Sequence, residues 1–221
     1  MTELARYIDH TLLKPEATPA QIEQLCAEAA EYGFRTVCVN SGYVSLAARC
    51  LAGTEVGVCS VVGFPLGAMA TAAKAFEAQT AIADGAAEID MVIPIGQARA
   101  GHWEQVRSDV AAVLQACGQV PLKVIFEACL LGREEIVTLC QLCTELGVAF
   151  VKTSTGFAAA GASVDLVRLM ATSVGADVAV KASGGVRDID TARAMIAAGA
   201  SRLGTSSGVA ILQGERGAGD Y

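Results

Sequence analysis

A chain of 221 residues that is 53% hydrophobic and 18% charged, with no linker or low-complexity stretch dividing it, can bury one large core. Its net charge of −7 supplies no basic footprint for nucleic acid or for an anionic membrane surface. The most apolar stretch, 56–73, is broken by Ser60, Gly63, Pro65 and Gly67, the opening MTELARYIDH lacks the apolar run of a signal peptide, and most of the eight cysteines lie in apolar runs, so a cytoplasmic protein with reduced thiols and no membrane span is expected.

Short runs rich in Val and Ile alternate with longer amphipathic stretches from one end to the other. A strand over 8–11 opens the series, and Thr18-Pro19 starts a helix over 19–32. Strands over 36–40, 56–62 and 88–92 then alternate with helices over 41–51, 71–84 and 102–116. Strands over 122–127, 149–154, 177–183 and 201–205 follow, separated by helices over 133–146, 163–172 and 188–198, with a last helix after the final strand. Gly33, Gly85, Gly147 and Gly199 stand where helices close before the chain re-enters a strand. Eight such units predict a single-domain α/β protein, a (β/α)8 TIM barrel over 1–221, with a doubly wound open sheet as the alternative. The glycine-rich segment 214–221 predicts a flexible tail.

The chain has five lysines against eleven arginines, and three of the five sit in apolar strand runs: Lys123 in LKVIFE, Lys152 in FVKTSTG and Lys181 in VAVKASGG. Burying an ammonium is costly, so chance does not account for that placement. Alternate residues of a strand face opposite sides, and one parity in each run is polar: Lys152 with Ser154, Lys181 with Ser183, Asp90 with Glu88, and Lys123 with Glu127. In a barrel these sets converge on the lumen. They form either an ion-pair network, in which Glu88, Asp90 and Glu127 satisfy the lysines, or a site where neighbouring lysines depress each other from about 10.4 toward neutrality and one attacks a carbonyl.

Two glycine-rich turns, SGGVR and GTSSG, follow the last two strands, where barrel loops hold phosphate. Cys140 and Cys143 form one CxxC inside a helical pattern, with no second pair to complete a zinc site. His10 and His102 are too few for a metal site without carboxylate help.

The segments YIDHTLLKP, VCVN, EIDMVI, LKVIFE, FVKTSTGF, VKASGGVR and RLGTSSG, in order over nearly the whole chain, resemble the deoxyribose-phosphate aldolase family of class I, Schiff-base aldolases. The resemblance implies that Lys152 forms the Schiff base, Lys181 is its partner and Asp90 serves proton transfer. It implies supporting places for Asp9, Thr11, Cys38 and Lys123, and phosphate contacts from Gly184, Gly185, Gly204, Ser206 and Ser207. It also implies a homodimer acting on deoxyribose 5-phosphate, glyceraldehyde 3-phosphate and acetaldehyde with no metal and no organic cofactor. Some members carry lysine after KTSTG where this chain has Phe157, which shifts phosphate binding toward backbone donors. Tyr221, the terminal residue, is a possible proton relay to the enamine carbon. A transaldolase-like Schiff-base barrel and a non-catalytic sugar-phosphate-binding barrel are the competing readings.

Overall fold

Helix formation is locally specified. Thr18 caps the helix Pro19–Tyr32 through a reciprocal bond with Gln21, Pro19 occupies its first turn, and Gly33 closes it at φ 68°. Ser163 and Asp188 likewise cap the helices Val164–Ser173 and Ile189–Ala197.

A computed structural model describes residues 2–217. In chain order the elements are α1 (Thr2–Ala5), β1 (Ile8–Leu12), α2 (Pro19–Tyr32), β2 (Thr36–Val39), α3 (Val44–Cys50), β3 (Gly57–Val62) and α4 (Thr71–Ala83). They continue with β4 (Glu88–Val92), α5 (Ile95–Arg99), α6 (Trp103–Cys117), β5 (Leu122–Ile125), α7 (Arg133–Leu146), β6 (Phe150–Lys152) and α8 (Val164–Ser173). The last are β7 (Ala179–Ser183), α9 (Ile189–Ala197), β8 (Arg202–Thr205) and α10 (Gly208–Gln213). All eight strands pair in parallel and in sequence order, and β8 returns to β1, so the sheet is a closed (β/α)8 barrel rather than an open one.

The apolar parity of the strands packs outward against the helices: Val37, Ile89, Met91, Val124, Val151, Val180 and Leu203 are all buried there. The opposite parity fills the lumen. On one side it is apolar, with Leu13, Cys38, Cys59 and Val61 packed together under Phe64; on the other it is charged. Register fixes which groups meet across strands: Cys38 is paired with Cys59, Asp90 with Lys123, and Lys152 with Lys181.

Several details depart from the sequence reading, among them the strand expected over 177–183, which begins at Ala179, and the helix expected over 41–51, which opens as a 3-10 turn over Ser41–Tyr43. The strand expected over 122–127 ends at Ile125, because Glu127 turns the chain with φ 54°. The strand expected over 149–154 is confined to Phe150–Lys152. The short helices α1 and α5 have too few turns to carry a 3.6-residue pattern, and the reading placed no element there. Among the described residues no helix is long and apolar enough to cross a membrane.

Candidate active site

Asp90, at the centre of β4, gathers the charged lumen. Its Oδ2 accepts from Lys152 Nζ and Lys181 Nζ, each at 2.8 Å, and its Oδ1 accepts from Lys123 Nζ at 2.8 Å and from the Cys59 thiol at 3.0 Å. Behind this layer, Asp9 on β1 meets Lys181 at 2.5 Å and Arg202 at 2.8 Å, and Thr36 donates to it at 2.8 Å. Glu88, one inward step before Asp90, binds Lys123 at 2.6 Å and takes a two-pronged contact from Arg202 at 2.9 and 3.2 Å. The Phe150 ring lies beneath Lys123 and Arg202, 5.8 and 5.2 Å from its centroid.

Burial by itself would push the Asp90 carboxyl up, yet Lys123, Lys152 and Lys181 outweigh it and hold Asp90 well below the ordinary carboxylate range. Asp9 is held low in the same way, with Lys181, Lys123 and Arg202 overcoming burial and the nearby Asp90 charge. For Lys181 burial works downward, but Asp9 and Asp90 win and raise it well above the ordinary lysine value. That corrects the expectation of mutual depression as far as Lys181 is concerned: two enclosed carboxylates bind it more strongly than a neighbouring lysine repels it. Lys181 is a fixed ammonium.

Cys38 lies in this lumen beside Cys59, whose hydrogen bond lowers its thiol against the effect of burial. Burial raises Cys59 well above its ordinary value. Cys38, Cys59 and Asp90 have ligand atoms within 4.8 Å of one another. Asp90 already accepts from three lysine Nζ groups, so these residues do not fit a cation. Thr11 turns its hydroxyl back onto Asp9 O at 2.8 Å and shapes the strand rather than touching the lysines. Glu127 does not join the lysines either. It binds the Thr155 hydroxyl and accepts from Thr155 N–H at 3.2 Å, fastening the turn after β5 to that after β6.

Beyond the strand ends, Gly184 and Gly185 both have φ near +80° (+82° and +81°) and line a cavity of about 310 Å³ with Gly156, Gly161, Arg187 and Arg216. Gly161 is pressed onto this turn so closely that a Cβ there would lie 2.2 Å from Gly184 O. Gly204 lies inside β8, paired with Asp9 and Ser183. Ser206 and Ser207 lead into α10, but the Ser207 N–H is taken by Thr205 Oγ1 at 2.9 Å. The segment after α10 runs back along these loops: Gly217 N–H donates to Arg187 O at 2.9 Å, and Arg216 stands 4.0 Å from Asp188. Tyr221 lies outside the described residues. Phe157 packs edge-on against Phe64, 5.2 Å between centroids, and carries no charge toward the cavity.

Arg202 was not singled out from the sequence, although it shares the inward parity of Gly204 in RLGT, and that parity was the available signal. His10 faces outward to Glu28 at 2.7 Å, and His102 bonds Gln97 on the surface. Cys140 and Cys143 are core residues of α7, and burial pushes the Cys140 thiol up to about 12.

A closed barrel whose lumen gathers three lysines around one carboxylate, Asp90, has the architecture of a class I aldolase. Residues 4–214 match the model of the DeoC/LacD family aldolases, and the chain belongs to that family. Among solved structures it resembles a candidate deoxyribose-phosphate aldolase from Coccidioides immitis, 45% identical over 96% of this chain and 85% of that one, with a TM-score of 0.94. It also resembles an aldolase designated QR15, 40% identical over 96% of each chain, TM-score 0.92. The deoxyribose phosphate aldolase from Aeropyrum pernix, described as tetrameric, is 34% identical over 96% of this chain and 90% of that one, TM-score 0.90. The protein is thus a carbon-carbon lyase acting on small molecules.

Proposed function

We propose that the chain reversibly cleaves 2-deoxy-D-ribose 5-phosphate to acetaldehyde and D-glyceraldehyde 3-phosphate, with Lys152 as the Schiff-base lysine. The observation that carries the reading is Lys152 at the end of β6, sharing Asp90 Oδ2 with the fixed ammonium of Lys181. Among the described residues Lys152 pairs with one carboxylate, whereas Lys123, Lys181 and Arg202 each meet at least two. Those three cations face three carboxylates, Asp9, Glu88 and Asp90, and balance them in number without Lys152. The two relatives described as deoxyribose-phosphate aldolases support the choice of substrate.

The Lys152 amine adds to the C1 aldehyde and loses water to give an iminium. The C2–C3 bond breaks, its electron pair neutralises the iminium as an enamine, and the C3 hydroxyl proton passes to Asp90, through water. Asp90 is a weak base while three cations surround it, but the iminium charge vanishes as the bond breaks. Its basicity therefore rises at the moment the proton arrives. The enamine is protonated at C2, with Tyr221 as a proposed relay, and hydrolysis releases acetaldehyde.

The phosphate is assigned to the Gly184-Gly185 turn with Arg187, Gly204, Ser206 and Ser207. Cleavage assayed on 2-deoxyribose 5-phosphate and on 2-deoxyribose tests both parts. Ser206→Asp should raise KM for the phosphorylated sugar at least about tenfold, because it sets a charge against the ester, and should leave the free sugar little changed. No cleavage of either sugar by the parent chain contradicts the reaction, and equal losses in the variant contradict the phosphate assignment. A cytoplasmic homodimer is the proposed working form; a light-scattering mass of one chain or of four would exclude the dimer.

A further inference from the structure

The geometry points to Ser154 as the residue that binds the C4 hydroxyl of the sugar, an inference that rests on the reaction proposed above. Ser154 stands two residues beyond Lys152. In extended backbone it projects to the same side, roughly 6.6 Å nearer the mouth. The chain is held extended there: Thr153 N–H donates to Lys181 O at 3.1 Å, Ala128 N–H donates to Thr153 O at 3.0 Å, and Ser183 Oγ donates to Ser154 O at 2.6 Å. At its far side Ser154 abuts the phosphate turn, since a Cβ on Gly184 would lie 3.6 Å from Ser154 Cβ. Ser154 therefore sits between the amine that takes C1 and the turn assigned to the phosphate on C5.

Among the described residues, Ser154 Oγ is the one enclosed hydroxyl with no hydrogen-bond partner. The hydroxyls around it are committed, Thr153 to Ser183 O, Ser183 to Ser154 O, and Thr155 to Glu127. A buried hydroxyl without a partner is unfavourable, and a bound hydroxyl restores what burial took away. The open-chain sugar has hydroxyls at C3 and C4. The C3 proton is drawn toward Asp90, so the C4 hydroxyl is the one left to meet Ser154. Holding C4 between the two anchors keeps the C2–C3 bond aligned with the iminium, which makes Ser154 a positioning residue.

The test is a cycle of enzyme and substrate. The parent chain and Ser154→Ala are assayed with 2-deoxyribose 5-phosphate and with its 2,4-dideoxy analogue, and solvent-deuterium exchange into the acetaldehyde methyl group is followed in both proteins. The variant should lose about tenfold or more in kcat/KM on the natural sugar and less than about twofold on the analogue, where the partner hydroxyl is gone. Exchange should be retained, because acetaldehyde has no C4. Normal exchange combined with equal losses on both sugars, or with no loss on either, overturns the assignment of Ser154 alone. Absence of exchange in the parent chain overturns the lysine reaction and this assignment with it.

Discussion

Asp90 accepts from three lysine Nζ groups and a thiol, so replacing it does more than remove a base. Asp90→Asn keeps the size but leaves Lys123 with Glu88 and Asp9, and Lys181 with Asp9, as their remaining carboxylates. Single-turnover cleavage should fall by about 10²–10⁴-fold, the usual worth of a positioned proton-transfer group. A rate within about threefold of the parent would exclude the role. The polarity of this lumen was legible because strand parity needs nothing but the order of residues: Lys152 and Lys181 pair in register and meet at Asp90, as the alternation predicts. The charge state of Lys181 was not legible. It depends on Asp9, which reaches it only because the barrel closes β8 onto β1, and no local pattern announces that contact. Glu127 misled for the opposite reason, since its parity is right but its φ of 54° takes it out of the strand.

The elements around the lumen are tied by a second buried pair. Lys74 on α4 is fully enclosed and binds Asp109 of α6 at 2.8 Å and the Val92 carbonyl, at the end of the strand that carries Asp90, at 3.0 Å. Thr71 completes the cluster by donating to Asp109 at 2.7 Å. Burial pulls the Lys74 ammonium down, and Asp109 opposes this. Asp109→Ala strands that ammonium, so denaturant unfolding should show a loss of about 3–5 kcal/mol. A loss under about 1 kcal/mol would mean that water reaches the pair. The expected helix over 71–84 matches α4 to within a residue, yet nothing in TAAKAF distinguishes an enclosed lysine from a solvated one. The neighbouring helix supplies the difference, and it lies 35 residues further on.

For the molecule as a whole, the lumen cluster sets how stability responds to pH. Asp9 and Asp90 titrate lower in the folded chain than the roughly 3.9 of a free Asp, so their contribution is present above that value and is lost as pH falls through the folded values. Lys123 and Lys181 titrate above the roughly 10.4 of a free lysine, so theirs is present below it and is lost as pH rises through the folded values. The thermal midpoint should therefore vary little between about pH 5 and pH 9 and fall steeply below about pH 4. A steep fall between pH 7 and pH 5 would contradict the assignment. The barrel itself was legible from eight alternating units, but closure was not, because an open sheet has the same alternation. The central claim is that one lysine of this closed lumen forms the imine. Borohydride reduction in the presence of acetaldehyde, followed by peptide mapping, should attach a single ethyl group at Lys152 and none in Lys152→Arg, whereas label on Lys181 with Lys152 unmodified would contradict it.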